Sequence, residues 1–260
     1  MNTNSHLKFA CFITVRMGST RLPRKALLPI RGRSIIEHLI DRTKLVKGGD
    51  LIVLCTSTRS EDDILEEIAR KNEIECFRGS AEDKLARWLG AAEKFDVDYF
   101  VTVDGDDPFA DPELIDLAIA QMRQNPCDFI NIPQTLVCGG AEYCISLAAL
   151  KKVCEVKNTD ETEIMYTYFT DSGLFNVRDL RVDDRIFHNS NIRMTLDYQE
   201  DFDFFKRIFD ELNIDVNSIP LRRIIELINR KPEIAKINFF RQEQYLANQK
   251  LKTKLLIKQT

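Results

Sequence analysis

Between Arg16 and Lys25 the chain reads Arg-Met-Gly-Ser-Thr-Arg-Leu-Pro-Arg-Lys. Loop amides flanked by fixed cations suit a polyphosphate. The run lacks the Gly-Lys-Ser/Thr ending of a P-loop and the three-glycine dinucleotide fingerprint, so it predicts a different kind of nucleotide site. The competing reading is a solvated basic loop after an edge strand. A second run, Asp104-Gly105-Asp106-Asp107-Pro108-Phe109, crowds carboxylates that repel one another. A hard cation relieves such repulsion, and Mg²⁺ accepts one or two carboxylates together with phosphate oxygens and water. The competing reading is a turn ahead of a helix capped by Asp111 with Pro112 at its first position. Asp111 suffices as that cap, which leaves the earlier carboxylates for a metal. In a third run, Arg193 to Asp201, Asp197 reads either as a helix cap with Glu200 three residues on or as a second metal ligand.

The elements that must position these runs follow from hydrophobic periodicity. Short apolar segments at Lys8–Val15, Leu51–Thr56, Ile74–Arg78 and Tyr99–Asp104 read as strands covered on both faces. Ser34–Val46, Ser60–Asn72 and Ala81–Phe95 have helical spacing, with Ile64, Leu65 and Ile68 forming one buried stripe. Ser60 with Asp62 and Asp63 marks a helix start. This βαβαβ rhythm predicts an α/β fold on a mostly parallel sheet flanked by helices. Ligands then belong at the carboxyl ends of the strands, where the basic loop, Asp104 and Asp106 fall. Asp197 is expected at the same edge.

The second half is less regular. Cys127–Pro133, Gly140–Ser146, Leu174–Val182 and Asn191–Leu196 are expected as strands. Leu147–Val156, Thr159–Ser172, Tyr198–Leu212 and Ser218–Asn229 are expected as helices. No linker rich in Pro, Gly or Ser interrupts the chain, which predicts one domain over residues 8–238 with an embedded subregion at 133–187. Residues 1–7 read as a flexible N-terminus. Residues 239–260 read as a basic C-terminal helix or tail without a function.

Composition narrows the function classes. The chain has 260 residues, 44% hydrophobic and 30% charged, as for a folded core. A net charge of −4 argues against a nucleic-acid binder and makes the basic loop a local feature suited to a small anion. No apolar stretch approaches a membrane span and no signal sequence is visible, so a cytoplasmic protein without membrane insertion is expected. Seven cysteines without a Cys-x-x-Cys pair fit buried reduced thiols better than zinc or disulfides. His6, His38 and His188 are too scattered for a metal cluster.

Arg16-x-Gly-Ser-x-Arg-Leu-Pro-x-Lys25, the Gly-Asp-x-Pro of residues 105–108 and the Thr-x-Asp-x-x-Glu-Asp of residues 195–201 occur in this order in one family. In these runs, from about residue 8 to about 212, the chain resembles the cytidylyltransferases that activate acylneuraminate and Kdo. Phe77-Arg78-Gly79-Ser80 with Asp83 resembles their spore-coat polysaccharide biosynthesis branch in particular. The resemblance implies a Rossmann-like nucleotidyltransferase fold related to nucleotide-sugar glycosyltransferases (GT-A-like), with CTP and Mg²⁺ as partners. It implies that Arg16, Ser19, Arg21 and Lys25 hold the triphosphate and that Asp106 and Asp197 hold the metal. Arg16, Lys25, Asp106 and Asp197 are then the catalytic set. Further nucleotide contacts are implied at Val15, Gly18, Arg78 and Asp104. Thr56, Ser57, Ser80 and Asp83 are implied near base and ribose. A homodimer through the middle subregion is implied as well. For the acceptor pocket, Glu142, Tyr143, Arg193 and the Glu161–Tyr168 helix are candidates. The chain departs from the family at Val15, where alanine is usual, at Asp104, where Kdo enzymes carry glutamine, and at Gln199, where proline is frequent. None of these removes a charge the chemistry needs.

The expected reaction is CMP transfer from CTP to a sugar acid or a related sugar or polyol phosphate, with release of pyrophosphate, for surface polysaccharide biosynthesis. The competing readings are a metal-dependent glycosyltransferase, suggested by Asp104-x-Asp106, and a non-catalytic nucleotide-binding protein. Base choice, acceptor and general base stay open, with Asp104 and Asp107 both candidates for the base.

Overall fold

A computed structural model describes residues 7–258; the segment expected to form the flexible N-terminus falls almost wholly outside them, as does His6. The elements run in chain order as β1 (Phe9–Thr14), β2 (Pro29–Ile30), β3 (Arg33–Ser34), α1 (Ile35–Thr43), β4 (Leu51–Ser57), α2 (Asp63–Lys71), β5 (Glu75–Gly79), α3 (Lys84–Lys94), β6 (Tyr99–Asp104) and α4 (Pro112–Gln124). They continue as β7 (Phe129–Asn131), β8 (Cys144–Ser146), α5 (Leu147–Val156), α6 (Tyr166–Thr170), β9 (Val177–Asp179), α7 (Gln199–Glu211), α8 (Leu221–Arg230) and α9 (Gln242–Lys252).

Seven strands form the main sheet in the order β5-β4-β1-β6-β8-β7-β9. The first four are mutually parallel, β8 is antiparallel to β6 and β7, and β9 is parallel to β7. The expected mostly parallel α/β sheet is therefore present. Side chains of β1 alternate between two cores: Phe9, Cys11 and Ile13 face one, Ala10 and Phe12 the other. Both sheet faces are covered, so the strand reads as an unbroken apolar run.

Register decides where the chemistry lies. Thr14 pairs with Asp104, so the basic loop and the acidic turn leave the same sheet edge side by side. Gly105 permits this contact. A Cβ there would sit 2.6 Å from the Val15 Cβ and 2.9 Å from the Thr14 carbonyl, which the Gly105 N–H bonds at 2.9 Å.

Several boundaries differ from the sequence reading. Asn191–Leu196 is an extended ribbon rather than a strand, with a single β-bridge, between Arg193 and Cys138, among the described residues. Gly139, at φ 78°, brings that neighbouring chain so close that a Cβ would lie 2.4 Å from the Met194 carbonyl. The ribbon continues outward, with the Leu196 N–H donating to the Asp106 carbonyl at 2.7 Å. Thr159–Ser172 is helical only at α6. The stretch before it is held by Thr162, whose hydroxyl accepts from the Leu85 N–H and donates to Asp83. Pro220 delays α8 to Leu221. All seven cysteines are free, and burial pushes the Cys11 thiol up to about 12.

One buried ion pair ties three helices together. Arg42 of α1 donates to Asp111 at 3.0 Å and to the Ala110 carbonyl at 2.7 Å. Asp111 also caps α4 by accepting from Glu113 and Leu114, as the sequence predicts, and accepts from the first amide of α8. Asp111→Ala leaves a buried guanidinium without its carboxylate and α4 without its cap. The expected cost is about 3–5 kcal/mol, read as a lower urea midpoint.

Candidate active site

A cleft of about 370 Å³ opens at the carboxyl edge of β1 and β6. One wall is the basic loop with Arg16, Gly18, Ser19, Arg21 and Lys25, and the floor is the 104–107 turn with Asp197. The Lys25 ammonium donates to Asp106 at 2.8 Å, to Asp197 at 3.2 Å and to the Leu196 carbonyl at 2.6 Å. Arg21 forms a hydrogen-bonded ion pair with the same Asp197 oxygen. Both carboxylates of the implied metal pair thus share the Lys25 ammonium, and their oxygens are the hard donors a divalent cation takes.

Asp197 is held from behind. Its second oxygen accepts from Arg193 at 2.9 Å, and Arg193 also pairs with Asp201 at 3.0 Å, fully buried. Asp201, not Asp197, completes the helix start: its carboxylate accepts from the amides of Asp197 and Tyr198 at 2.8 and 2.9 Å. The expected cap of Asp197 with Glu200 is therefore absent, and Glu200 pairs with Arg241 instead. The carboxylate of Asp197 is left to the cleft. Burial alone would raise its pKa, but Lys25, Arg21 and Arg193 bring it down to about 2.

Burial, against the pull of Lys25, raises Asp106. Asp104, Asp107 and Glu142 bring ligand atoms within 4.8 Å of one another, a grouping that could also hold a metal. Asp104 is paired with Lys84 at 2.8 Å. Burial, reinforced by Asp106 and Asp104, raises Asp107 well above the carboxylate range. Its Oδ1 is buried without a hydrogen-bond partner. Burial, then Asp107 and Asp104, does the same to Glu142.

The remaining sequence-predicted residues are placed as follows. Val15 and Asp104 line the cleft. Thr56 and Ser57 are buried at the end of β4, with the Ser57 hydroxyl bonded to Asp62. Arg78 is engaged by Asp63, Glu66 and the Ser57 carbonyl. Ser80 accepts from the Asp83 amide, and Asp83 caps α3 and pairs with Lys157. Tyr143 stacks near Phe129 and Tyr166, away from the cleft lining. Of the acceptor candidates, Arg193 lies behind Asp197 and Glu142 sits buried beneath the 104–107 turn, accepting from the Asp104 amide at 3.3 Å. The segment expected as an acceptor helix from Glu161 contributes Glu163 and Ile164 from its non-helical part.

Sequence reasoning missed the opposite wall. Tyr245, Asn248, Gln249 and Lys252 of α9 line the cleft, so the C-terminal segment is part of the site rather than a functionless tail. Their spacing of three, four and seven residues was the available signal. Lys84 was missed because its partner Asp104 lies far along the chain.

Residues 10–251 match the family model described as cytidylyltransferase. An uncharacterised protein of Methanocaldococcus jannaschii is 30% identical over 92% of this chain and 98% of its own length. The spore coat polysaccharide biosynthesis protein SpsF of Bacillus subtilis (strain 168) is 29% identical over 86% of this chain and 95% of its own. A solved structure of a cytidylyltransferase from Leptospira borgpetersenii superimposes with a TM-score of 0.81 at 29% identity, covering 88% of this chain and 97% of that one.

The raised pKa of Glu142 has a measurable consequence. The folded chain holds this proton to higher pH than the unfolded chain does, so an ionised Glu142 destabilises the fold as pH rises through the folded pKa. Glu142→Gln should melt above the wild type at pH 8, with the gap closing towards pH 4. A gap that is constant with pH would refute the assignment.

Proposed function

The chain belongs to the cytidylyltransferase family of nucleotidyltransferases, and from that premise we propose that it transfers CMP from CTP to an acidic or phosphorylated sugar, making an activated precursor for surface polysaccharide. The observation that carries this reading is the convergence of Arg21 and Lys25 on Asp106 and Asp197 at one sheet edge. A basic loop of this kind is needed where free pyrophosphate leaves. SpsF, named for spore coat polysaccharide biosynthesis, supports the polysaccharide context. The motif resemblance to acylneuraminate and Kdo enzymes supports a sugar acid.

In this mechanism an acceptor oxygen attacks the α-phosphorus in line, the bond to the β-phosphate bridging oxygen breaks, and pyrophosphate departs. Arg16, Arg21 and Lys25 bind the triphosphate and offset charge on the leaving group, while the loop amides around Gly18 and Ser19 orient it. Asp106 and Asp197 would hold a divalent cation, Mg²⁺ by the resemblance, which supplies charge neutralisation at the phosphate oxygens. Arg193 and Asp201 keep the Asp197 carboxylate aimed and ionised. Asp104 and Asp107, both lining the cleft, are the candidate proton acceptors. A homodimer through residues 133–187 is part of the same proposal, and sedimentation would test it.

The decisive assay is pyrophosphate release with each of the four NTPs and Mg²⁺ against sugar acids and sugar phosphates. CTP alone should support turnover. Asp106→Asn and Lys25→Met should each lower kcat about 10²–10³-fold. Turnover with a different NTP only would remove the cytidine assignment. Hydrolysis of nucleotide sugars without any NTP-dependent pyrophosphate would favour the glycosyltransferase reading.

A further inference from the structure

α9 turns polar rather than apolar residues towards the cleft. Its inward stripe, Tyr245, Asn248, Gln249 and Lys252, is polar and lines the cleft, while Leu246 and Leu251 are 55% and 78% exposed. A helix packed for stability turns its apolar residues inward. This one buries no residue in a core and is held by polar ties. Arg193 lies 4.4 Å from the Tyr245 ring centroid and donates to Gln242, Asn248 donates to the Tyr198 hydroxyl at 3.0 Å, and Lys252 pairs with Glu163 at 3.0 Å. Beyond the helix, the Asn158 amide donates to the Leu256 carbonyl at 2.8 Å, and the Lys258 amide donates to Val156 at 2.8 Å, so the segment is fastened at both ends.

We infer that the inward stripe of α9 is the recognition face for the acceptor, and that the acceptor is a polyhydroxylated sugar carrying a carboxylate or phosphate, with Lys252 contacting that anion. The reading rests on the proposed cytidylyl transfer. The stripe lines the same cleft as the triphosphate loop, and a second substrate must lie in that cleft for in-line attack. Its residues match the ligand chemically. An aromatic ring packs against the C–H face of a sugar, amides exchange hydrogen bonds with hydroxyls, and an ammonium holds an anion. Glu163 marks the anion's place: its carboxylate bonds Lys252 and lies 3.9 Å from Arg16 of the triphosphate loop. A substrate anion would replace it at Lys252. This assigns to α9 the task for which Glu142, Tyr143 and Arg193 were the candidates, none of which lines the cleft.

Two readouts test it on the full-length chain. In the first, pyrophosphate release with CTP and Mg²⁺ is measured against carboxylated sugars (Kdo, N-acetylneuraminate, glucuronate) and phosphorylated ones (glucose 1-phosphate, glycerol 3-phosphate). In the second, hydrogen exchange of residues 242–252 is followed with the same compounds and with glucose as a neutral control. Lys252→Met should raise the KM for the acceptor about 10–100-fold, and Gln249→Leu about 3–10-fold, with the KM for CTP within about twofold of wild type. The anionic compound that is turned over should protect α9 from exchange, glucose should not, and Lys252→Met should abolish the protection. Whether the active compounds are carboxylates or phosphates identifies the anion. Wild-type turnover with an unchanged acceptor KM in both variants overturns the inference and leaves cytidylyl transfer standing. Protection of α9 by an anionic sugar without turnover keeps the inference and overturns the transfer reading. Neither protection nor turnover with any compound overturns the inference.

Discussion

Repulsion among carboxylates drawn to one sheet edge is the constraint around which this molecule is organised. Asp104, Asp106, Asp107, Glu142 and Asp197 all meet where β6 and the 191–197 ribbon end. Each is neutralised differently. Lys84 takes Asp104, Lys25 takes Asp106, and Asp197 is shared by Lys25, Arg21 and Arg193. Asp107 and Glu142 form no ion pair among the described residues, and burial, reinforced by the neighbouring carboxylates, shifts both towards the protonated form. The buried Arg193–Asp201 pair is a backing plate for this arrangement. Breaking such a pair strands a charge, so its geometry is rigid for an electrostatic reason. Asn238 tightens it by donating to Asp201 at 2.9 Å and to the Arg193 carbonyl at 3.0 Å.

The parts of this design that follow local rules were legible in the sequence. Unbroken apolar runs at β1 and β6 announce a parallel sheet with both faces covered, and topology then puts the basic loop and the acidic turn on one edge. The cap at Asp111 was readable from Asp-Pro alone. What depends on a choice between neighbouring groups or on tertiary contacts is not legible. Asp197 looked like a cap because Glu200 has the right spacing, yet Asp201 wins through two backbone amides and a buried arginine. The ribbon at 191–196 has strand-like residues, but its neighbour bridges to it at the single pair Cys138 and Arg193. α9 looked like a solvated tail because its polar residues were assumed to face water. Only the fold shows that they face the cleft.

The site therefore has two walls of unlike construction. The wall of the basic loop hangs from the central strands and inherits their rigidity: Gly105 locks it to β1 through a contact no side chain would permit. The opposite wall is a late, polar addition to the chain, fastened by side-chain pairs and by a short extended tail.

That asymmetry bears on how such a protein can diversify. Because α9 buries no core residue, its inward positions can be rewritten without cavities, strain or loss of the folding nucleus. The sheet and its charged edge resist change, since each carboxylate there is balanced against a particular neighbour. New substrate preferences can therefore arise by drift in one C-terminal helix while the reaction itself stays fixed. On the proposed reading, the short stretch from 245 to 252 is where a change of acceptor would be written.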